Sequence, residues 1–393
     1  MQLSTHRCNL KARWPFLAVV AILAFTAVFL FAYTHEQDNV NGPVKTQWCN
    51  GSLNDGSPCQ HTVNWSFGPP PRSNIDQTGG VGYQQAIQAA FNSWQQASLN
   101  GKQLVNLNIT GPVTIANPPS FPDLPNAVDC RNVIGFTDIT TTDFSTGTIA
   151  FTSLFTTAGC TVAGPNCPSQ TPPNQYQCTG SATPSTVYTC PLTSCIVDAD
   201  IEFNPADSFS TASATPTKDF DLQEIATHEI GHLLGMDHSG LANAIMFAYG
   251  DAGRVPTRIL SVDDAIGIGS IYPSSNFATV TGTLSGTVKL GGQGIFASHV
   301  VVIDTNSGNA VTDGLTNADG TYSIFVPPGQ YNVVALPLTG IYHLTLANFN
   351  VWACGYGELP SGNVPPCCDP TNDPSCNKAG ALSPPTNYSG KFN

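Results

Sequence analysis

The chain has 393 residues, enough for two or three domains, and only 10% of them are charged. Its 36 glycines and 31 prolines favour a loop-rich, β-containing structure. The formal net charge of −13 argues against nucleic acid as a partner, because phosphate backbones are bound by basic surfaces. Thirteen cysteines without paired C-x-x-C spacing argue against a reducing compartment. Most of them are predicted to form disulfides, whose connectivity one sequence cannot give.

The N-terminal segment predicts export. Residues 16–33, FLAVVAILAFTAVFLFAY, are uncharged and can nearly span a bilayer. Basic residues precede this segment and acidic residues follow it, which keeps the N-terminus inside and sends the rest of the chain out. Residues 1–40 are therefore a signal-anchor or a cleaved signal peptide, and the protein is predicted to be extracellular, secreted or anchored. Residues 41–64 follow as a cysteine-containing linker.

One helix and several strands are predicted next. Residues 84–98 place Ala86, Ala90 and Trp94 at three- and four-residue steps, the pattern of an amphipathic helix. Alternation of polar and apolar residues predicts strands at 104–110, 132–138, 147–155 and 195–204. A long loop with many cysteines separates the last two strands.

A second predicted helix carries the sequence HEIGHLLGMDH, residues 228–238. Asp221, with Glu224 three positions later, has the spacing of a capping box at the start of this helix. Gly235 is a natural C-terminal stop, because glycine accepts a positive φ.

The histidines of this segment have the spacing of a catalytic zinc site. His228 and His232 are four residues apart, so both rings lie on one face of the helix. Once Gly235 turns the chain, His238 can return as a third ligand, which leaves the fourth zinc position for water. Glu229 can reach that water without binding the metal. The competing explanation, histidines that only satisfy a core, is disfavoured because this spacing rarely arises by chance.

The remaining elements are one more helix and a β-rich region. Residues 261–272 predict a helix capped by Ser261 and Asp264. Short strands with regular turns predict a separate small all-β sandwich at 280–338. Residues 339–393 are a tail rich in cysteine and proline, for which no fold is predicted.

The motif H-E-x-x-H-x-x-G-x-x-H, followed by AIMFAYG, resembles the metzincin signature. Ser239 after the third histidine and LSVDDAIGIGSIY at 260–272 make it similar to the matrixins, the matrix-metalloprotease branch. The resemblance covers residues 65–275 and implies an α+β catalytic domain with a twisted, mostly parallel, mixed sheet and three helices. It also implies that Met246 forms a hydrophobic floor under the three imidazoles. Residues 280–338 resemble carboxypeptidase-regulatory-like sandwiches, which says little about function.

The chain also departs from the matrixin pattern. Because no histidine occurs from 62 to 227, a second, structural zinc is not expected, and one catalytic Zn²⁺ is predicted. Asn204 replaces an aspartate that matrixins often use for calcium. Calcium is left open at three alternate residues of one strand, with a solvated strand face as the alternative: Asp198, Asp200 and Glu202.

These observations predict an extracellular zinc-dependent endopeptidase that hydrolyses peptide bonds through a zinc-activated water, with Glu229 as general base and then general acid. An extended peptide or protein substrate is expected to pair with residues 197–203, taken as an exposed edge strand. Specificity is expected from a loop at about 247–260. The membrane is a partner only if the N-terminal segment is uncleaved. The alternative is a catalytically inactive surface adhesion or binding protein, which would have no need of Glu229.

Overall fold

A computed structural model describes most of the region predicted to be catalytic and the β-rich region after it. The described residues are 37–38, 44–45, 47–48, 62–68, 75–77, 80–113, 132–136, 144, 147–156, 169–170, 175–177, 187–189, 195–212, 218–253, 258–317 and 319–337. Residues 16–33 and the side chains of the cysteines lie outside this set, so the N-terminal segment and the disulfides stay predictions. No helix within the described ranges is long and apolar enough to cross a membrane.

The secondary structure follows the predicted order. The described helices are α1 (Tyr83–Gln95), α2 (Leu222–Leu233), α3 (Val262–Ile271) and the short α4 (Phe277–Val280). The described strands are β1 (Gln37–Asp38), β2 (Val44–Lys45), β3 (Gln47–Trp48), β4 (Thr62–Phe67), β5 (Ile75–Asp76), β6 (Ser98–Leu99), β7 (Lys102–Gln103), β8 (Asn108–Thr110), β9 (Asn132–Phe136), β10 (Ala150–Thr156), β11 (Ser169–Gln170), β12 (Gln175–Gln177), β13 (Val187–Thr189), β14 (Cys195–Phe203), β15 (Phe209–Ser210), β16 (Phe220–Asp221), β17 (Gly282–Thr287), β18 (Lys289–Leu290), β19 (Gln293–Gly294), β20 (His299–Asp304), β21 (Ala310–Leu315), β22 (Thr321–Val326) and β23 (Tyr331–Leu336).

The largest sheet in the described part of the chain has six strands. Its order is β10-β14-β9-β4-β8, and β3 also pairs with β14. Strand β10 is antiparallel to β14, whereas the other pairings are parallel. The α+β class and the mostly parallel sheet are therefore confirmed.

The prediction that residues 197–203 form an exposed edge was wrong. These residues belong to β14, which pairs with β10 on one side and with β9 and β3 on the other, so β10 is the strand at the end of the sheet. The alternating polar residues of β14 were also expected on a solvated face, yet Asp198, Asp200 and Glu202 are 0–1% exposed. The carboxylate of Asp200 accepts a hydrogen bond from the Val133 amide at 2.9 Å. The alternation of polar residues here therefore does not indicate contact with water, and the Asp200 side chain instead bonds the neighbouring strand β9.

Buried aromatic side chains fix the position of helix α2. The Trp94 indole on α1 donates to the Thr227 carbonyl at 2.7 Å, and the Trp48 indole donates to the Leu233 carbonyl at 2.7 Å. The Tyr272 hydroxyl donates to the Leu234 carbonyl at 2.8 Å. The last carbonyls of a helix have no partner within the helix, so the bonds from Trp48 and Tyr272 satisfy groups that would otherwise be buried unpaired.

The strands from 282 to 336, called here the C-terminal β-region, contain three small sheets: β17-β22, β18-β19 and β21-β20-β23. Val300, Val302 and Ile324 from this region belong to the same buried apolar cluster as the helices. Phe277 on α4 meets Phe325 edge-on, with ring centroids 5.0 Å apart. The described residues all fall in one compact unit of the chain. The C-terminal β-region therefore shares a core with the rest of the described fold.

Candidate metal centre and active site

Helix α2 begins and ends where its sequence predicts. The Asp221 carboxylate accepts the Glu224 amide at 2.9 Å, which satisfies one of the unpaired donors of the first turn. Arg258 donates two further hydrogen bonds to this carboxylate at 2.9–3.0 Å through its Nε. At the other end Gly235 has φ +88°, so the predicted positive φ is confirmed. This turn brings Met236 back to donate to the Gly231 carbonyl at 3.0 Å.

The structure brings together the three histidines that the sequence singled out. The Nε2 atom of His232 lies 3.2 Å from the Nε2 atoms of both His228 and His238. One ligand atom from each ring lies within 4.8 Å of the other two, and this is the group of metal-binding side chains found among the described residues. His228 and His238 are partly exposed, so the centre opens towards solvent.

Backbone carbonyls orient two of these rings. Nδ1 of His228 donates to the Ile245 carbonyl at 2.7 Å, and Nδ1 of His232 donates to the Met236 carbonyl at 2.8 Å. A carbonyl only accepts, so each Nδ1 carries the ring hydrogen and each Nε2 presents a lone pair. Burial, together with the neighbouring His232, lowers the pKa of His228 to about 3, which keeps this ring neutral.

These donors fit a zinc ion. Two lone pairs that face each other at 3.2 Å repel unless a cation lies between them. Nitrogens held at about 2.0–2.1 Å from a tetrahedral zinc lie about 3.3 Å apart, close to the spacing observed. With three imidazole ligands, such an ion keeps a fourth position open, the arrangement of catalytic rather than structural zinc sites.

Glu229 lies beside this cluster and is held by a residue that no sequence pattern singles out. The Thr152 hydroxyl on β10 lies 2.7 Å from Oε2 of Glu229 and 3.0 Å from the Glu229 carbonyl. Burial raises the pKa of Glu229, while His232 and the bond from Thr152 oppose that shift. No local sequence spacing predicts this contact of Thr152, because Glu229 is 77 residues away along the chain.

Met246 packs against α2 directly below the histidines. A Cβ atom on Gly231 would lie 2.9 Å from Cζ2 of Trp94 and closer still to the Met246 sulfur, so the glycine makes room for both side chains. Met246 is fully buried. The Asp264 carboxylate accepts the amides of Ile245 and Met246 at 2.9 and 3.1 Å.

Asp264 therefore has a second role besides the helix cap that the sequence predicted. The capping box with Ser261 is present at the start of α3. The same carboxylate also fixes the turn that carries Met246, a contact that local spacing cannot reveal. Burial raises the pKa of Asp264, whereas its hydrogen bonds lower it.

A cleft of about 620 Å³ runs past the metal centre. Residues 147–152, on and before β10, line one side, and Phe247, Ala248 and Tyr249 line another. Tyr249 is 54% exposed, and its ring meets Phe247 at 5.8 Å. Residues 147–152 and the exposed ring of Tyr249 lie along the cleft beside the metal centre, so the cleft has room for an extended ligand.

Comparison with known proteins shows what this region is similar to. The matrixin family model matches residues 188–273. A 122-residue stretch is 33% identical to metalloendoproteinase 2-MMP of Arabidopsis thaliana, covering 31% of each chain. Metalloendoproteinase 1 of Glycine max is 41% identical over 76 residues, which are 17% of this chain and 23% of that protein. The hatching enzyme of Paracentrotus lividus is 34% identical over 86 residues, 22% of this chain and 14% of that protein.

The family model matches the part of the chain that holds the metal centre. The chain spans less than a third of the length of each of these relatives. The matched residues include α2, the three histidines, the turn at Met246 and α3. Residues 188–273 of this chain are therefore similar to the matrixins.

Proposed function

We propose that the protein is an extracellular zinc-dependent endopeptidase. The observation that carries the proposal is the convergence of three histidines beside the carboxylate of Glu229, within an open cleft: Nε2 of His232 lies 3.2 Å from the Nε2 atoms of the other two rings. Metalloendoproteinases among the similar proteins support the same activity. The high cysteine content supports an oxidising, extracellular location.

Zinc, when bound, supplies a Lewis acid that activates a water molecule and polarises the scissile carbonyl. His228, His232 and His238 would hold the ion. Glu229 takes a proton from the attacking water and later passes it to the leaving amine. Glu229 is outside the group of metal ligands found among the described residues, which leaves its carboxylate free to move that proton.

Thr152 holds the Glu229 carboxylate in one orientation. Its hydroxyl donates to Oε2, so the second oxygen, Oε1, is the one that faces the proton to be transferred. A positioned base works better than a mobile one, because the reacting atoms are already in place.

The substrate lies extended along β10. The Ile149 carbonyl accepts the Asn204 amide at 2.9 Å, so the backbone polar groups of Ile149 point towards the neighbouring chain. Backbone groups of successive residues in a strand point to opposite edges, so those of Ala150 and Thr152 point to the cleft. A peptide can pair with these groups as an added strand.

Main-chain pairing gives little sequence preference, so side-chain selection is left to the loop that follows the Met246 turn. Phe247, Ala248 and Tyr249 line the cleft beyond the metal centre. Matrixins usually have a proline where this chain has Ala248, and the open wall next to Tyr249 fits bulky apolar side chains in the substrate. Subsite preference is therefore assigned to residues 247–251.

The activity is tested with the full chain produced by secretory expression. Casein or gelatin should be cleaved, a zinc chelator should stop cleavage, and added zinc should restore it. Glu229→Gln should lower kcat by about 10²–10⁴-fold while one zinc per chain is retained, because only the proton transfer is lost. Glu224→Gln, which removes the same charge from the first turn of α2, should lose far less.

Two results would overturn the proposal. Cleavage that survives complete zinc removal would exclude the metal mechanism. Absence of cleavage by folded, zinc-loaded protein against casein, gelatin and a peptide library would favour the alternative, a surface binding protein built on an inactive protease-like domain.

A further inference from the structure

Of the three histidines, only His238 lies outside a helix. His228 and His232 are fixed by α2, whose ends are capped and whose carbonyls are bonded to buried aromatic side chains. The position of His238 depends instead on the backbone around it: the His238 amide donates to Oδ1 of Asp237 at 2.7 Å, and the residues after His238 are held as well. The Ser239 amide donates to the Met246 carbonyl at 2.7 Å, which ties one side of this segment to the turn below the histidines.

The other side of this segment is held by the C-terminal β-region. The Gly240 amide donates to Oδ2 of Asp313 on β21 at 2.9 Å. The same carboxylate oxygen lies 2.5 Å from Nε2 of His299 on β20. Hydrogen bonds to an ionised carboxylate are about twice as strong as neutral ones, so Asp313 is a firm anchor for Gly240.

Helix α3 completes this network. The Ser239 hydroxyl donates to Oδ2 of Asp263 at 2.7 Å, and the Asp313 amide donates to Oδ1 of Asp263 at 3.2 Å. The side chains of all these residues are at most 6% exposed. We call these five residues the docking network: Ser239, Gly240, Asp263, His299 and Asp313.

The docking network leaves no room for a side chain at Gly240, and it buries two carboxyl groups next to each other. A Cβ atom on Gly240 would lie 2.5 Å from Oδ2 of Asp313 and would overlap the His299 ring, so only glycine permits this approach. Burial, followed by the charge of Asp313, raises the pKa of Asp263 well above its ordinary value. Two carboxyl groups this close are costly in a buried place unless each is hydrogen-bonded.

We propose that Asp313 is a positioning residue for the metal site: by fixing Gly240, it holds the backbone that presents His238. The C-terminal β-region is then a structural part of the metal centre and not only a neighbour in the chain. Apolar contacts support the same docking, because Leu241 and Ala244 pack against Val301. The inference rests on the proposed zinc site but not on peptide cleavage.

The test measures metal binding in the full chain. Asp313→Asn keeps the size of the side chain but weakens its bonds to Gly240 and His299. We expect zinc to bind about 10–100-fold more weakly, the usual effect of losing a partner behind a metal ligand. The visible absorption spectrum of the Co²⁺-loaded chain should also change, because it reports the coordination geometry directly.

Val326→Ala is the matched control. Val326 is a buried residue of the same C-terminal β-region, but it is not a member of the docking network. It should destabilise the fold without changing the cobalt spectrum. If Asp313→Asn yields no folded protein, His299→Gln makes the same comparison, because it keeps the carboxylate and removes its partner.

A measurement on the unmutated, zinc-loaded chain tests the proposal without any variant. The Gly240 amide should exchange its hydrogen slowly, since it is buried and bonded to Asp313. Exchange at the rate of a free amide would overturn the proposal.

The outcomes separate this inference from the proposed function. An unmutated chain that binds no zinc refutes the zinc peptidase itself. If the unmutated chain binds zinc but Asp313→Asn loses affinity only as far as Val326→Ala does, with the same cobalt spectrum, the positioning role alone is refuted.

Discussion

Thr152 shows how a single side chain can prepare a base for catalysis. Its hydroxyl bonds both the carboxylate and the backbone carbonyl of Glu229, so it links β10 to α2 at the point where the proton is to be transferred. A hydrogen bond to a charged group is worth about 1.5–3 kcal/mol, which corresponds to about a ten- to hundredfold change in rate if it is needed in the transition state.

Thr152→Val replaces the hydroxyl by a methyl group of similar shape. We expect kcat/KM for a peptide substrate to fall about ten- to hundredfold while the zinc content stays at one per chain, since the three histidines are untouched. Thr152→Ser keeps the hydroxyl and should lose much less. A valine variant within twofold of the unmutated enzyme would show that Thr152 does not orient Glu229.

Residues of the metal centre differ in how far the sequence could predict them. His228, Glu229 and His232 lie within one helical turn, so their geometry follows from helix periodicity alone. Thr152 reaches Glu229 from a strand, and nothing local distinguishes it from the other threonines. The hydrogen bond that the Asp264 carboxylate accepts from the Met246 amide could not be predicted either. The role of Asp264 as a cap of α3 was already enough to explain why an aspartate occurs at that position.

At the scale of elements, the order of the strands decides where a substrate can bind. Sequence alternation could identify β10 and β14 as strands, but it could not say which of them ends the sheet. That order depends on long-range pairing, and the polar residues of β14 gave a false signal of exposure. Once β10 is the end strand, alternate backbone groups from Ala150 onwards face the cleft.

This pairing predicts an alternating response to backbone methylation of the substrate. N-methylation of a peptide amide that faces β10 removes one hydrogen bond, worth about 0.5–1.5 kcal/mol, and should lower kcat/KM about three- to tenfold. N-methylation of the next amide along, which points away from β10, should have little effect. The comparison needs one peptide with each amide near the scissile bond methylated in turn. An equal effect at every position would exclude strand pairing.

At the scale of the whole molecule, the helices and the C-terminal β-region contribute side chains to one large buried apolar cluster. The sequence predicted a catalytic domain at 65–275 and a separate sandwich at 280–338, because the pattern of turns changes after Pro273. No sequence pattern tells which faces of two such regions meet. The resemblance of the second region to carboxypeptidase-regulatory-like sandwiches stays a prediction. What the structure adds is the buried contact between them, through the docking network and through Phe277, which lies between the two predicted regions and packs against both Gly269 and Phe325.

A shared core predicts that the two regions unfold together. Denaturant unfolding of the zinc-loaded chain should show one transition by both tryptophan fluorescence and circular dichroism, because loss of either region exposes apolar surface of the other. A double-mutant cycle of Phe277→Ala and Phe325→Ala should give a coupling free energy of about 0.5–1.5 kcal/mol, the usual value for an edge-to-face aromatic pair. Leu290→Ala, at an exposed position of the same β-region, should be additive with Phe277→Ala. Two separate transitions, or additivity of the two phenylalanine variants, would show that the regions are only tethered.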